Sequence, residues 1–348
     1  MWERIFQSLD SNVNLTSEQI DFAFSEILSE YLNPDYVKRF LTSLTQKGET
    51  PSEVIEATEI ILKKAIPFPT EDFEGEITID TCGTGGDGLH TLNISTMVAL
   101  VVAASGTTVF KHGNRAASSK SGSADVLEAL GININADAEA LRQSAKEAKI
   151  AFLFAQSFHP ALRFVAPIRR ELGFRTIFNY LGPLANPARP NTQIVGVSEL
   201  RLAGVVAQSL VKRGVKALVL RGQDGLDEVS IAAPTDVWLA IDSDKTVRQI
   251  QISPEFFGEK PRMLEEIQGG EPSYNAEAII TLAQGKSSDA IASAVSMNAA
   301  LALLAIGAHL KDSRDVQRLI LENYEYSQDI IRSGSLEASL TKWRSLQH

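Results

Sequence analysis

The chain has one cysteine, Cys82, in 348 residues, so no internal disulfide can form and packing must hold the fold. There is no run of basic residues. The 33 Lys and Arg stand against 43 Asp and Glu, a formal charge of −10, which excludes a broad nucleic-acid surface but permits a local pocket for a small anion. The N-terminus, MWERIFQSLD, lacks the apolar core of a signal peptide. The most apolar late stretch, 294–308, is broken by Ser296 and Asn298 and reads as too short for a bilayer span. No internal repeat or low-complexity tract occurs. These absences lead us to expect a soluble, cytoplasmic protein with neither nucleic acid nor membrane as partner. Cys82 reads as a small buried residue at a strand end, because no base for a nucleophile is evident beside it.

The length calls for one large or two unequal domains. The first 65 or so residues read as helical. Ile20, Ala23, Phe24, Ile27 and Leu28 form an i, i+3, i+4, i+7, i+8 stripe behind a capping box of Thr16 and Gln19. A second helix is predicted over 35–46, stopping near Gly48. A third is capped by Thr50 and Glu53 with Pro51 at its first position. Helices this short must pack on the rest of the molecule or on a second chain. Residues 65–76, with Pro67 and Pro69, read as a linker.

Beyond it, short apolar strands at 77–81, 107–110, 150–154, 193–197 and 217–220 alternate with helical patterns. That rhythm predicts a mostly parallel sheet covered on both faces. Residues 229–241 and 246–252 read as consecutive strands at an antiparallel edge, and 276–343 as helix. Within 160–186, Pro167 interrupts a helical pattern and should kink it. Arg163, Arg169, Arg170 and Arg175 crowd the same stretch. Since Arg169 and Arg170 are adjacent, they cannot both face one ligand.

Two glycine- and serine-rich loops follow predicted strands and precede predicted helices, where backbone N–H groups and the helix dipole favour an anion. The first, GTGGD at 83–87, has neither the Rossmann nor the P-loop spacing and leads into Asn93-Ile94-Ser95-Thr96. The second runs from Lys111 through His112, Gly113, Asn114, Arg115, Ala116, Ala117, Ser118 and Ser119 to Ser123. Its Lys111 and Arg115 can neutralise phosphate charge. Two such loops point to a ligand with two separated phosphate groups. In Asp224-Gly225-Leu226-Asp227-Glu228 the last two acids repel unless a cation lies between them, and hard oxygens suit Mg²⁺; alone, the segment equally fits a solvated turn. An arginine fork from the cluster suits a carboxylate.

Taken in order, GTGGD with TLNIST, KHGNRAASSKSGSADVLEALG, RRELGFRTIFNYLGPLANP and DGLDE closely resemble the anthranilate phosphoribosyltransferase family, over about residues 48–228. The resemblance implies an α/β fold with a small helical domain and a larger domain around a mostly parallel central sheet. Residues 1–70, completed by helices within about 160–190, would form the helical domain and the homodimer contact; 71–159 and 191–348 would form the α/β domain. It implies transfer of phosphoribosyl from 5-phosphoribosyl 1-pyrophosphate (PRPP) to the amino group of anthranilate, in tryptophan biosynthesis, with release of pyrophosphate.

Carried over, Gly83, Gly86, Asp87, Thr91, Asn93, Ile94, Ser95 and Thr96, together with Lys111 through Ser119 and Ser123, would surround PRPP. Gly83, His112, Asn114, Arg169 and Pro183 would surround anthranilate. Ser95, Asp227 and Glu228 would serve two Mg²⁺ ions, and no residue is assigned as a general base. Three positions depart from the family pattern: Leu92 stands where an aromatic is usual, Arg221 where His is usual, and Cys82 where an aliphatic is common. Pyrimidine-nucleoside phosphorylases share this architecture, but KHGNR and NYLGPLANP argue against them; a paralogue with altered substrate is the other alternative.

Overall fold

The computed structural model describes residues 1–116, 119–241, 244–307 and 313–346. Seven strands form one sheet: β1 (Thr78–Gly83), β2 (Thr108–Gly113), β3 (Ile150–Phe154), β4 (Thr192–Gly196), β5 (Lys216–Gly222), β6 (Thr235–Ala240) and β7 (Arg248–Ile252). Their order is β3-β2-β1-β4-β5-β6-β7. The first five are parallel, and β6 and β7 extend the edge in antiparallel fashion. From β1 the chain builds outward through β2 and β3, then returns to lay β4 on the other flank of β1. Open α/β sheets bind ligands at such a reversal, outside the strands' carboxyl ends.

Side chains alternate across the sheet, as a two-residue period requires. Leu218 and Leu220 of β5 face one apolar core, while Ala217 and Val219 face the other. The first core is filled by the helices Ile94–Ala104 and Asp289–Gly307. The second joins the sheet to the N-terminal helices Trp2–Asp10, Ser17–Ile27, Pro34–Lys47 and Pro51–Lys64, and to Leu162–Leu172, Phe178–Leu184 and Leu200–Lys212. Phe24 meets Phe178 there, with ring centroids 5.5 Å apart.

Both capping boxes form as the sequence predicts. Glu53 does more than cap: buried, it accepts from the Leu15 amide at 2.8 Å and pairs with Lys47 at 2.9 Å, fastening its helix to the end of the preceding helix and to the connector before Ser17–Ile27. The stretch 65–76 is not a loose tether. Phe68 and Phe73 are buried against Phe110, and Ile66 donates to the Phe158 carbonyl, because two aromatics in a short connector have apolar area to hide. The helix Leu162–Leu172 continues through Pro167.

Two expectations change. Residues 229–234 form a turn held by the Ser230 amide donating to Thr235 Oγ1, and the strand starts at Thr235. The apolar helix Asp289–Gly307 has 19 residues and is long enough to cross a bilayer by length and composition, contrary to the reading from sequence. Its burial decides its role: 78 % of that apolar window lies inside the protein, and Asn298 faces inward to bond Val229.

Candidate active site

A cleft of about 430 Å³ opens at the carboxyl ends of β1 and β2. Gly83 ends β1 and pairs in register with Gly196 of β4. Both positions must lack a side chain, because a Cβ on Gly83 would strike the Asp227 carboxylate and one on Gly196 its backbone carbonyl. The acidic loop therefore lies directly across the strand ends. Asp227 Oδ2 accepts from the Gly85 amide at 2.7 Å.

The floor is charged and largely buried. Burial, and then the neighbouring Asp87, push the Asp227 carboxyl up to about 7. Burial and the adjacent Asp227 also push Glu228 up, while Lys111 and the Ser95 amide hold it back. Lys111 is buried in β2 and donates to Thr81 O at 2.6 Å and Ser95 Oγ at 3.3 Å. Burial pulls its pKa down against the field of Asp80, Cys82 and Glu228. Its ammonium thus sits under the acidic corner rather than projecting from the second loop.

Among the described residues no three His, Cys, Asp or Glu side chains form a ready metal cage. Two adjacent acids, Asp227 buried and Glu228 half-buried, each raised by burial and by acidic neighbours, with Ser95 nearby, still fit a hard cation that takes its remaining ligands from water and substrate oxygens.

The second loop folds back on the start of the helix Ser123–Ala129. One oxygen of Asp125 accepts from both the Ala116 and the Gly122 amides at 2.9 Å. Arg115 pairs with Asp125 and Glu128. Its charge is matched here by two acids of the following helix, and it still lines the cleft. Ala117 and Ser118 lie outside the described residues. Asn93 ties the loop down, donating to Ser121 O at 3.1 Å and accepting from Asn275 at 2.9 Å.

Gly83, Gly86, Asp87, Thr91, Asn93, Ile94, Ser95, Lys111, His112, Gly113, Asn114, Arg115, Ala116, Ser119, Ser123, Arg169, Asp227 and Glu228 all line the cleft. Thr96 and Pro183 do not. Thr96 is fully buried one step along the helix, and Pro183 is buried, its carbonyl accepting from Gln193. The cluster of four arginines divides as helix geometry demands: Arg169 and Arg175 reach the cleft, while Arg163 and Arg170 are exposed. Arg169 stacks 5.5 Å over Phe178, and burial lowers its pKa. It has no acidic partner among the described residues.

Several contributors escaped the sequence reading. Asp80, fully buried beneath the floor, accepts from Asn186 at 2.9 Å and from the His112 amide at 3.2 Å. His112 in turn contacts Gly182 O through Nδ1 at 3.2 Å. Burial and the nearby His159 lower its pKa to about 3, so its ring is neutral. Residues 267–269 pin the segment 90–92 by backbone bonds. The three departures are accommodated: Leu92 is buried, Arg221 bonds Ser198 O, and Cys82 is buried with Sγ 3.6 Å from Ile194 O.

A helical bundle joined to an α/β domain is also what comparison with known proteins finds. Residues 4–65 match the helical bundle domain of a glycosyl transferase family, and residues 75–335 match that family's a/b domain. Within that class the match is narrower. The anthranilate phosphoribosyltransferase of Arthrobacter sp. (strain FB24) is 42 % identical over 99 % of this chain and 96 % of its own length. The crystal structure of the Thermus thermophilus anthranilate phosphoribosyltransferase superposes with a TM-score of 0.88 at 33 % identity, covering 99 % of both chains. The Saccharomyces cerevisiae enzyme in complex with PRPP and Mg gives 0.85 at 26 % identity, over 99 % of this chain and 97 % of that one. The chain belongs to the anthranilate phosphoribosyltransferase family.

Proposed function

We propose that this protein transfers the phosphoribosyl group of PRPP to the amino group of anthranilate. The observation that carries the reading is Arg169: a partly buried guanidinium in the cleft wall, without an acid of its own, in the same cleft as a carboxylate corner. An arginine so placed suits the carboxylate of anthranilate.

In the reaction the bond from C1 of the ribose to the diphosphate oxygen breaks, a C1–N bond forms, and the amine gives up one proton. The amine is already a nucleophile, so position matters more than a strong base. Amides of the 83–88 loop face the diphosphate, and the second loop takes the 5-phosphate. Asp227, Glu228 and Ser95 would hold Mg²⁺, which supplies charge neutralisation for the departing pyrophosphate. Lys111 stays beneath, fixing Ser95 and offsetting the acids. Walls from the helical layer exclude water from the sugar carbon.

The helical layer, with Tyr31 and Tyr36 exposed, is our proposed homodimer face. We divide the chain between helical residues 1–70 with the helices near 160–190 and the α/β remainder, and place the enzyme in the cytoplasm.

Aniline, which lacks the carboxylate, tests the reading. The wild type should convert anthranilate and leave aniline almost untouched; equal turnover of both would contradict recognition by Arg169.

A further inference from the structure

We propose that Arg175 is a positioning residue that presets the 83–88 loop for the diphosphate, acting through the carbonyls of the loop backbone. The proposal rests on PRPP being the cleft's substrate.

Arg175 Nη1 donates to Gly85 O at 2.9 Å and Gly86 O at 3.1 Å. Ser198 Oγ donates to the same Gly85 oxygen at 3.2 Å. In a planar trans peptide the C=O and the following N–H point in opposite directions. Drawing the carbonyls of Gly85 and Gly86 toward the guanidinium therefore turns the amides of Gly86 and Asp87 the other way. Those amides, and that of Gly88, have no protein acceptor among the described residues. Successive amides exposed in this manner form an anion-binding nest.

Gly85 and Gly86 have φ of +62° and +72°, and a Cβ on Gly86 would strike Arg175 Nη1. Glycine here admits both the backbone shape and the guanidinium. The clamp is anchored in turn. Arg175 Nε pairs with Glu199 at 2.8 Å, Glu199 with Arg201 at 3.1 Å, and Arg201 with the buried Glu49 at 2.9 Å. Arg175 also sits in the connector between the helix bearing Arg169 and the helix bearing Asn179. The loop is thereby held by the helical layer.

The test compares Arg175→Ala, Arg175→Lys and Glu199→Gln with the wild type in steady-state kinetics and in calorimetric binding of pyrophosphate with Mg²⁺. In Arg175→Ala the KM for PRPP and the dissociation constant of pyrophosphate should both rise about tenfold, the loss expected for charge-assisted bonds to two carbonyls. The KM for anthranilate should stay within about twofold. Lysine, a single point donor, should recover part of the loss, and Glu199→Gln should shift PRPP in the same direction by less. Should the alanine variant fail to fold, the other two carry the same comparison. A PRPP KM and pyrophosphate affinity like the wild type's, or equal rises for both substrates, would overturn the proposal. A wild type that binds pyrophosphate more tightly than Arg175→Ala yet never turns over PRPP with anthranilate would refute the assigned reaction and leave the clamp standing.

Discussion

Asp227 takes its 2.7 Å hydrogen bond from the amide of Gly85, a residue 142 positions earlier in the chain. The acidic corner and the glycine loop are thus one unit, and loss of the acid should be felt in both. We expect Asp227→Asn with Glu228→Gln to lower kcat about 100-fold, the scale of removing electrostatic support from a leaving group. The Mg²⁺ concentration for half-maximal rate should rise as well. A Mg²⁺ titration checks this; an unchanged midpoint would remove both acids from metal binding.

Arg169 stands in the wall without an acid partner among the described residues, so its fork is available to a ligand carboxylate. Arg169→Ala should raise the KM for anthranilate about 30-fold, as loss of a two-point charged contact implies, with a much smaller change for PRPP. Initial rates with each substrate varied in turn separate the two. Equal effects would reject a specific carboxylate contact.

How far the sequence revealed this site depended on whether the signal was local. Thr16 with Gln19 and Thr50 with Glu53 are three-residue relationships, and both boxes could be read directly. The same is true of the strand–glycine–helix order around residues 83 and 113. Asp80 could not be read this way: its partners Asn186 and His112 come from elements that adjoin it only after the sheet has been assembled around β1. The partners of Arg115 were hidden for a related reason: its pairing with Asp125 and Glu128, in the first two turns of the next helix, depends on how the loop folds back. Arg175 was visible only as one of four arginines, because its partners on the glycine loop are carbonyl oxygens, which no side-chain pattern announces.

Asp80 supports two backbone-bearing segments and the charge of Lys111 from a fully buried position; burial raises its own pKa to about 6. Asp80→Ala would leave the His112 amide without its acceptor and Lys111 less compensated. We expect a loss of about 3 kcal/mol in unfolding free energy. Urea denaturation at about pH 7.5, above the raised pKa, measures it, and a loss within experimental scatter of zero would show that Asp80 contributes nothing to the floor.

His159 is buried, its Nε2 2.8 Å from Ala185 O, and burial lowers its pKa to about 4. The folded form therefore keeps the ring neutral where the unfolded chain, near 6.5, takes up a proton. The sign follows: this contribution is intact above pH 6.5 and is lost as pH falls toward 4. Between those limits the wild type should lose about 3 kcal/mol more than His159→Asn. Asp80, raised in pKa, has the opposite slope, but it is common to both proteins and cancels in the difference. Paired urea titrations in steps from about pH 7 to about pH 4 provide the comparison; parallel curves would show that His159 is not buried neutral.

One cleft should bind PRPP at both phosphate ends while its acidic corner meets the leaving diphosphate. Anthranilate is fluorescent, and its consumption can be followed directly. Addition of PRPP and Mg²⁺ to the enzyme with anthranilate should extinguish that fluorescence, and EDTA should stop the loss. Steady fluorescence under those conditions, with phosphate-dependent cleavage of thymidine by the same preparation, would contradict the account and assign the cleft to a nucleoside phosphorylase.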